Sequence, residues 1–191
     1  MGGYRWVMMN MEGAALIVID VQKGFSDSVW GKRNNPNMES NVSALLSKWQ
    51  EAGRPVVVVR HDSVSEGSPL RPGQEGNDLQ EVVGGKGDLL VAKSVNSAFY
   101  GDPDLDGWLK EREIGSVVIC GIQTNLCAET TARMAGNLGY DTYFVLDATH
   151  TFDMKAHDGS AITADELARV TAANLDGEFA SVVSTAELTE D

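Results

Sequence analysis

Three ionisable side chains stand where apolar runs end: Asp20 after residues 14–19, Lys93 after 89–92, and Cys127 just beyond 117–120. Together they can run acyl transfer. A thiolate attacks a carbonyl carbon, while a carboxylate takes the thiol proton and later passes it to a leaving amine. A nearby ammonium stabilises the thiolate and orients the carboxylate. Backbone N–H groups in the turn from Gln123 to Cys127 can hold the tetrahedral oxyanion, after which water hydrolyses the thioester.

The turn that carries Cys127 follows a short β-branched run, Val117-Val118-Ile119, and is opened by Gly121. Thr124 suits an N-cap, and Gly139 stands where a helix-ending glycine belongs. With Thr124 as the cap, Cys127 falls in the first helical turn. Free N–H groups and the positive end of the helix dipole favour a thiolate there, so a lowered thiol pKa is expected. Taken alone, such a cysteine is more simply a small core residue. Asp20 and Lys93, placed as they are, shift the reading to a nucleophile. Cys120 ends a buried strand and reads as core. A Cys120–Cys127 disulfide would consume the nucleophile and is disfavoured in a reducing compartment.

The elements that must position these residues alternate. Strands are expected near 14–19, 56–59, 88–92, 117–120, 143–146 and 180–183, because near-continuous apolar runs mark strands covered on both faces. Between them, Val42, Leu45, Leu46 and Trp49 follow helical spacing. Asp102-Pro103 suits a helix start, Leu105, Trp108 and Leu109 give that helix an apolar face, and Thr163-Ala164-Asp165-Glu166 is a capping box. The expected fold is a single-domain three-layer αβα structure with a six-stranded parallel sheet of order 3-2-1-4-5-6. In that order strands 1 and 4 adjoin at the switch point. Asp20 and Cys127 then face one crevice, with Lys93 approaching from strand 3.

Residues 1–13 read as an N-terminal extension, 14–185 as the domain and 186–191 as a polar tail. Loops at 22–36, 62–87 and 148–160 are placed to shape a pocket, with Phe25, Trp30, His61, Tyr100 and His150 as its expected lining. His61 and His150 read equally well as structural hydrogen-bonding residues. The formal net charge of −13 argues against nucleic acid or anionic membrane as partner. Two cysteines make no disulfide framework, and no apolar run approaches the length of a membrane span. Without a signal-peptide pattern in residues 1–12, a cytoplasmic location is expected. The stretch after Asp20 holds no glycine-rich phosphate loop, and G-x-S-x-G does not occur, so a dinucleotide site and a serine hydrolase are poorly supported.

The segments Ala15 to Gln22, Ala92 to Phe99 and Gly121 to Cys127 together resemble the isochorismatase-like cysteine hydrolases. The similarity extends over about residues 14–185. It implies an Asp-Lys-Cys triad at Asp20, Lys93 and Cys127. It also implies a cis peptide at Ile122–Gln123, with the N–H groups of Gln123 and Cys127 aimed at the oxyanion. Family members that cleave a vinyl ether do not need the cysteine, so its presence favours C–N hydrolysis of a small amide. Nicotinamidases of the family add a metal site with an Asp-x-His pattern after the second strand. Here that position reads Arg60-His61-Asp62-Ser63, so no metal or other cofactor is expected. Residues 147–152 resemble a subgroup of uncharacterised or antibiotic-amide-cleaving hydrolases, which admits a cyclic amide as substrate. The resemblance suggests a homodimer or larger assembly. The competing reading is a redox-responsive protein using Cys127 as a low-pKa thiol; it leaves Asp20 and Lys93 without a role.

Overall fold

A computed structural model describes residues 13–190; the extension expected at 1–13 lies almost wholly outside them. Six strands form one parallel sheet in the order β3-β2-β1-β4-β5-β8. They are β1 (Ala15–Ile19), β2 (Val56–His61), β3 (Leu89–Lys93), β4 (Ser116–Ile122), β5 (Asp141–His150) and β8 (Ser181–Val183). Since β8 is the sixth strand of this sheet in chain order, the topology is the expected one. A small antiparallel hairpin, β6 (Met154–Lys155) and β7 (Ala161–Ile162), occupies part of the segment read as loop.

Alternation along β1 divides the core. Leu16 and Val18 pack into one layer with Met38, Val42, Leu45, Leu46 and Trp49 of α1 (Met38–Glu51). Ala15, Ile17 and Ile19 face the other layer, against α2 (Leu105–Glu111), α3 (Glu129–Leu138) and Leu175 of α4 (Ala164–Leu175). All five β1 residues are completely buried, as a central parallel strand between two helical layers must be.

Several boundaries differ from expectation for local reasons. The α2 helix begins after Asp104, not Asp102, because the Asp104 carboxylate accepts from the Asp106 N–H at 3.1 Å. The α3 helix does end on left-handed Gly139, and Thr163 with Glu166 does form the capping box of α4. The residues read as a polar tail form a last helix, α5 (Thr185–Thr189), with its own capping box from Ser184 and Glu187 and Leu188 buried against the α1 layer. That box is visible in the sequence as Ser-x-x-Glu. Strand β5 runs four residues past the expected end, with a register shift opposite Ile119/Gly121. Among the described residues no helix is long and apolar enough to cross a membrane.

Candidate active site

Parallel strands end on one edge, and the chemistry collects there. Asp20 follows β1 and takes a left-handed backbone, φ 50°. This conformation is uncommon outside glycine and clusters at functional turns. Strand β4 runs beside β1, and Gly121 pairs with Ile19. A Cβ at Gly121 would lie 2.0 Å from the Ile19 carbonyl oxygen, so only glycine lets the two strand ends approach this closely. The Ile122–Gln123 peptide is cis, and residues Thr124–Ala128 form a π-helical turn that carries Cys127 into α3. Thr124 does not cap this turn. Its hydroxyl bonds instead to Thr149 Oγ1 at 2.8 Å, so the β5 end anchors the turn. Thr151 Oγ1 likewise donates to Asn125 Oδ1.

Lys93 reaches across from β3. Its register partner on β2 is His61, and its side chain passes that residue to the end of β1. Lys93 Nζ donates to Asp20 Oδ2 at 2.6 Å and to His61 Nδ1 at 3.1 Å. Both side chains of the ion pair are fully buried. Asp20 Oδ1 has no hydrogen-bond partner among the described residues. A buried acceptor left open in this way is expected where another group must arrive. Cys127 Sγ, an Asp20 carboxylate oxygen and a His61 ring nitrogen all lie within 4.8 Å of one another.

The electrostatics reverse one expectation. Burial, followed by the negative charge of Asp20, pushes the Cys127 thiol up to about 12, where a lowered value was expected from the helix terminus. The π-helical turn places the thiol under the sheet edge beside a carboxylate, and desolvation outweighs the helix dipole. Burial also raises the proton affinity of Asp20, even against the opposing charge of Lys93. A thiol that holds its proton beside a carboxylate eager for one is suited to proton transfer at the moment of attack. It is poorly suited to resting as an exposed thiolate.

A cavity of about 460 Å³ opens onto Cys127 and Gln123. Phe25, Trp30 and His61 line it as expected, together with residues 65–70 of the loop between β2 and β3. Phe25 and Trp30 pack with ring centroids 5.0 Å apart, and Trp30 Nε1 donates to the Gly24 carbonyl. Tyr100 and His150 belong elsewhere. Tyr100 is 70% exposed, outside the cavity. His150 is fully buried at the end of β5, edge-on to Phe152, because β5 continues through residues read as loop. Larger hollows exist, such as one of about 540 Å³ lined by Leu146, Ala168 and Val183, but none of them touches Cys127. Volume alone therefore does not identify the site.

Sequence reasoning missed the residues that hold the site together. Gln22, fully buried, accepts the His61 N–H at 2.8 Å and donates to the carbonyls of His61 (3.0 Å) and Asn77 (2.9 Å). Asn77 donates to Asp62 Oδ1, which also receives the Arg60 guanidinium. A glutamine close behind a strand-end carboxylate was the one available signal.

These contacts bear on the metal that the nicotinamidase comparison raises. Asp62 is taken by the two-pronged Arg60 contact at 2.7 and 2.9 Å. A cation among Asp20, His61 and Cys127 would meet the Lys93 ammonium, which already contacts Asp20 and His61. The residues present do not fit a divalent ion.

The fold agrees with that of related proteins. The sequence model of the isochorismatase domain matches residues 14–175. The chain belongs to the isochorismatase family. It is 40% identical over 181 residues to YrdC of Bacillus subtilis (strain 168), an uncharacterized member, covering 94% of this chain and 96% of that one. It is 30% identical to nicotinamidase 3 of Arabidopsis thaliana over 79% of this chain and 80% of that one. Among solved structures, an isochorismatase-family protein of Chromobacterium violaceum ATCC 12472 superposes with a TM-score of 0.88 at 36% identity, covering 94% and 93% of the two chains. A cysteine hydrolase of Pseudomonas syringae pv. phaseolicola 1448A superposes at 0.83 with 26% identity, covering 93% and 91%. Members of this isochorismatase family are hydrolases, and the Pseudomonas syringae neighbour is described as a cysteine hydrolase.

Proposed function

We propose that this isochorismatase-family protein hydrolyses a C–N bond of a small amide or cyclic amide through a thioester on Cys127, without a metal. The observation that carries the reading is the buried ion pair of Lys93 with Asp20 Oδ2, which leaves Oδ1 open on a carboxylate that has an oxygen within 4.8 Å of the Cys127 sulfur.

Asp20 takes the thiol proton as Sγ attacks the amide carbon. The carbonyl π electrons move onto oxygen, and the N–H groups of Gln123 and Cys127 receive that oxyanion. Collapse of the tetrahedral species breaks the C–N bond while protonated Asp20 gives its proton to the departing nitrogen. A water then loses a proton to Asp20 and adds to the thioester; the carboxylic acid leaves, and the proton returns to Sγ. Lys93 keeps one Asp20 oxygen occupied, which aims the other at the thiol. The cavity suits a neutral small molecule, and the working form is proposed to be a homodimer or larger.

Ammonia or amine release across a panel of small amides and lactams tests the reading. Wild type, Cys127→Ala and a chelator-treated sample are compared. Turnover that disappears in Cys127→Ala and survives the chelator is expected. Turnover kept by Cys127→Ala, or abolished by the chelator, overturns it.

A further inference from the structure

We infer that His61 is the specificity-determining donor of this site, selecting amides that carry a hydrogen-bond acceptor within two or three bonds of the scissile carbonyl. The inference rests on Cys127 being the nucleophile, as proposed above.

An ammonium has only protons to offer, so the 3.1 Å contact of Lys93 Nζ with His61 Nδ1 uses the Nδ1 lone pair. The single proton of the neutral ring then resides on Nε2. Burial and the neighbouring ammonium keep the ring neutral, holding its pKa below the usual 6.5. The backbone that carries the ring is also held. Gln22 clamps the His61 main chain from both sides, and Asn77 Nδ2 adds a bond to the His61 carbonyl at 3.1 Å. The Nε2–H itself donates to no group among the described residues and is not sealed from solvent, and the ring lines the cavity.

A fixed donor thus stands on the cavity wall, on a ring one of whose two nitrogens lies within 4.8 Å of Cys127 Sγ. A sulfur poised for attack sits roughly 3–3.5 Å from the carbonyl carbon. A donated hydrogen bond spans about 2.9 Å from nitrogen to acceptor. Those lengths put the bonded acceptor on the α or β atom of the acyl group: a 2-hydroxyl, a 2-keto oxygen, or a ring nitrogen next to the carboxamide. Phe25, Trp30, Leu70 and Leu126 supply apolar wall. Against that wall an unmatched substrate leaves the Nε2–H desolvated and unpaired, and such sites reject analogues lacking the partner atom.

Aldehydes that add reversibly to the Cys127 thiol test this without a known substrate. Pyridine-2-carbaldehyde carries an acceptor beside the carbonyl; pyridine-4-carbaldehyde has the same shape and similar electrophilicity with the acceptor on the far side of the ring. Affinity is read by ligand-observed NMR, with Cys127→Ala as the reference for adducts formed elsewhere. Wild type should bind the 2-isomer about tenfold more tightly than the 4-isomer. His61→Phe should bring the ratio to about one, and His61→Gln, which keeps an N–H at similar reach, should restore most of it. Nitrogen-15 shifts of the histidine rings should separately report the Nε2–H form in wild type, lost in Lys93→Met. Equal affinities in wild type, or a preference that persists in His61→Phe, overturn the inference while leaving the nucleophile reading intact. Aldehyde binding that is the same in Cys127→Ala overturns the nucleophile reading instead, and no binding of either aldehyde overturns both.

Discussion

His61 and His150 both end strands on the same edge of the sheet, yet they do opposite things. His61 is half-buried, bonded to Lys93 and open to the cavity. His150 is fully buried, and neither ring nitrogen has a hydrogen-bond partner among the described residues. Burial drives its pKa from 6.5 to about 3, so the folded protein carries it as a neutral ring beside Phe152. One histidine is a polar group kept where a ligand can reach it. The other fills space, with the consequence that the fold loses stability in acid. Residue type is the same; what differs is whether a partner and an opening accompany the burial.

The comparison is tested most severely at the centre His61 belongs to. Asp20→Asn should lower turnover by about 10³-fold, within the range for losing a general base. It should also destabilise the fold by about 3–5 kcal/mol, because it leaves the Lys93 charge buried and uncompensated. Urea unfolding of the variant checks the second figure, and an unchanged midpoint would show that the pair is not held away from water.

At His150 the prediction concerns pH. The unfolded chain takes up a proton below about 6.5, whereas the folded ring resists until about 3. The stability this ring contributes is complete above 6.5 and is lost as pH falls toward 3, by about 4 kcal/mol over that span. His150→Leu should therefore flatten unfolding free energy against pH between 6.5 and 4. A variant curve parallel to wild type would sink the assignment.

Smaller effects should follow at the clamp. Gln22→Leu leaves the His61 N–H unpaired and takes one donor from its carbonyl, for a loss of about 2 kcal/mol in thermal unfolding. It should also reduce the preference for pyridine-2-carbaldehyde, which a purely structural glutamine would not do. The smallest contrast separates the two cysteines. Cys120→Ala should cost about 1 kcal/mol and leave turnover unchanged. Iodoacetamide labelling of Cys127 should be slow at neutral pH and still rising above pH 10, since its thiol titrates near 12. Fast labelling at pH 7 would favour a resting thiolate and reverse this account.

Much of this was legible before any coordinates. Apolar runs ending in Asp20 and Lys93, and the glycine-opened turn before Cys127, set the strand order and bring three residues to one edge. Parallel strands with right-handed crossovers leave few alternatives. The thiol pKa was misread because a helix dipole can be anticipated from local sequence, whereas desolvation depends on what packs over the sulfur. His150 was misplaced for a related reason: the end of β5 is decided by pairing with β4 through a register shift, which no short pattern announces.

The sequence by itself therefore determined the layers, the parallel sheet and the identity of the Asp20, Lys93 and Cys127 trio, since periodicity and turn chemistry are local. Only the tertiary structure decided that Lys93 reaches past β2 to Asp20, that Gln22 clamps His61, and which histidine faces the cavity. Those outcomes depend on distances between residues 39 and 73 positions apart in the chain, which packing alone fixes.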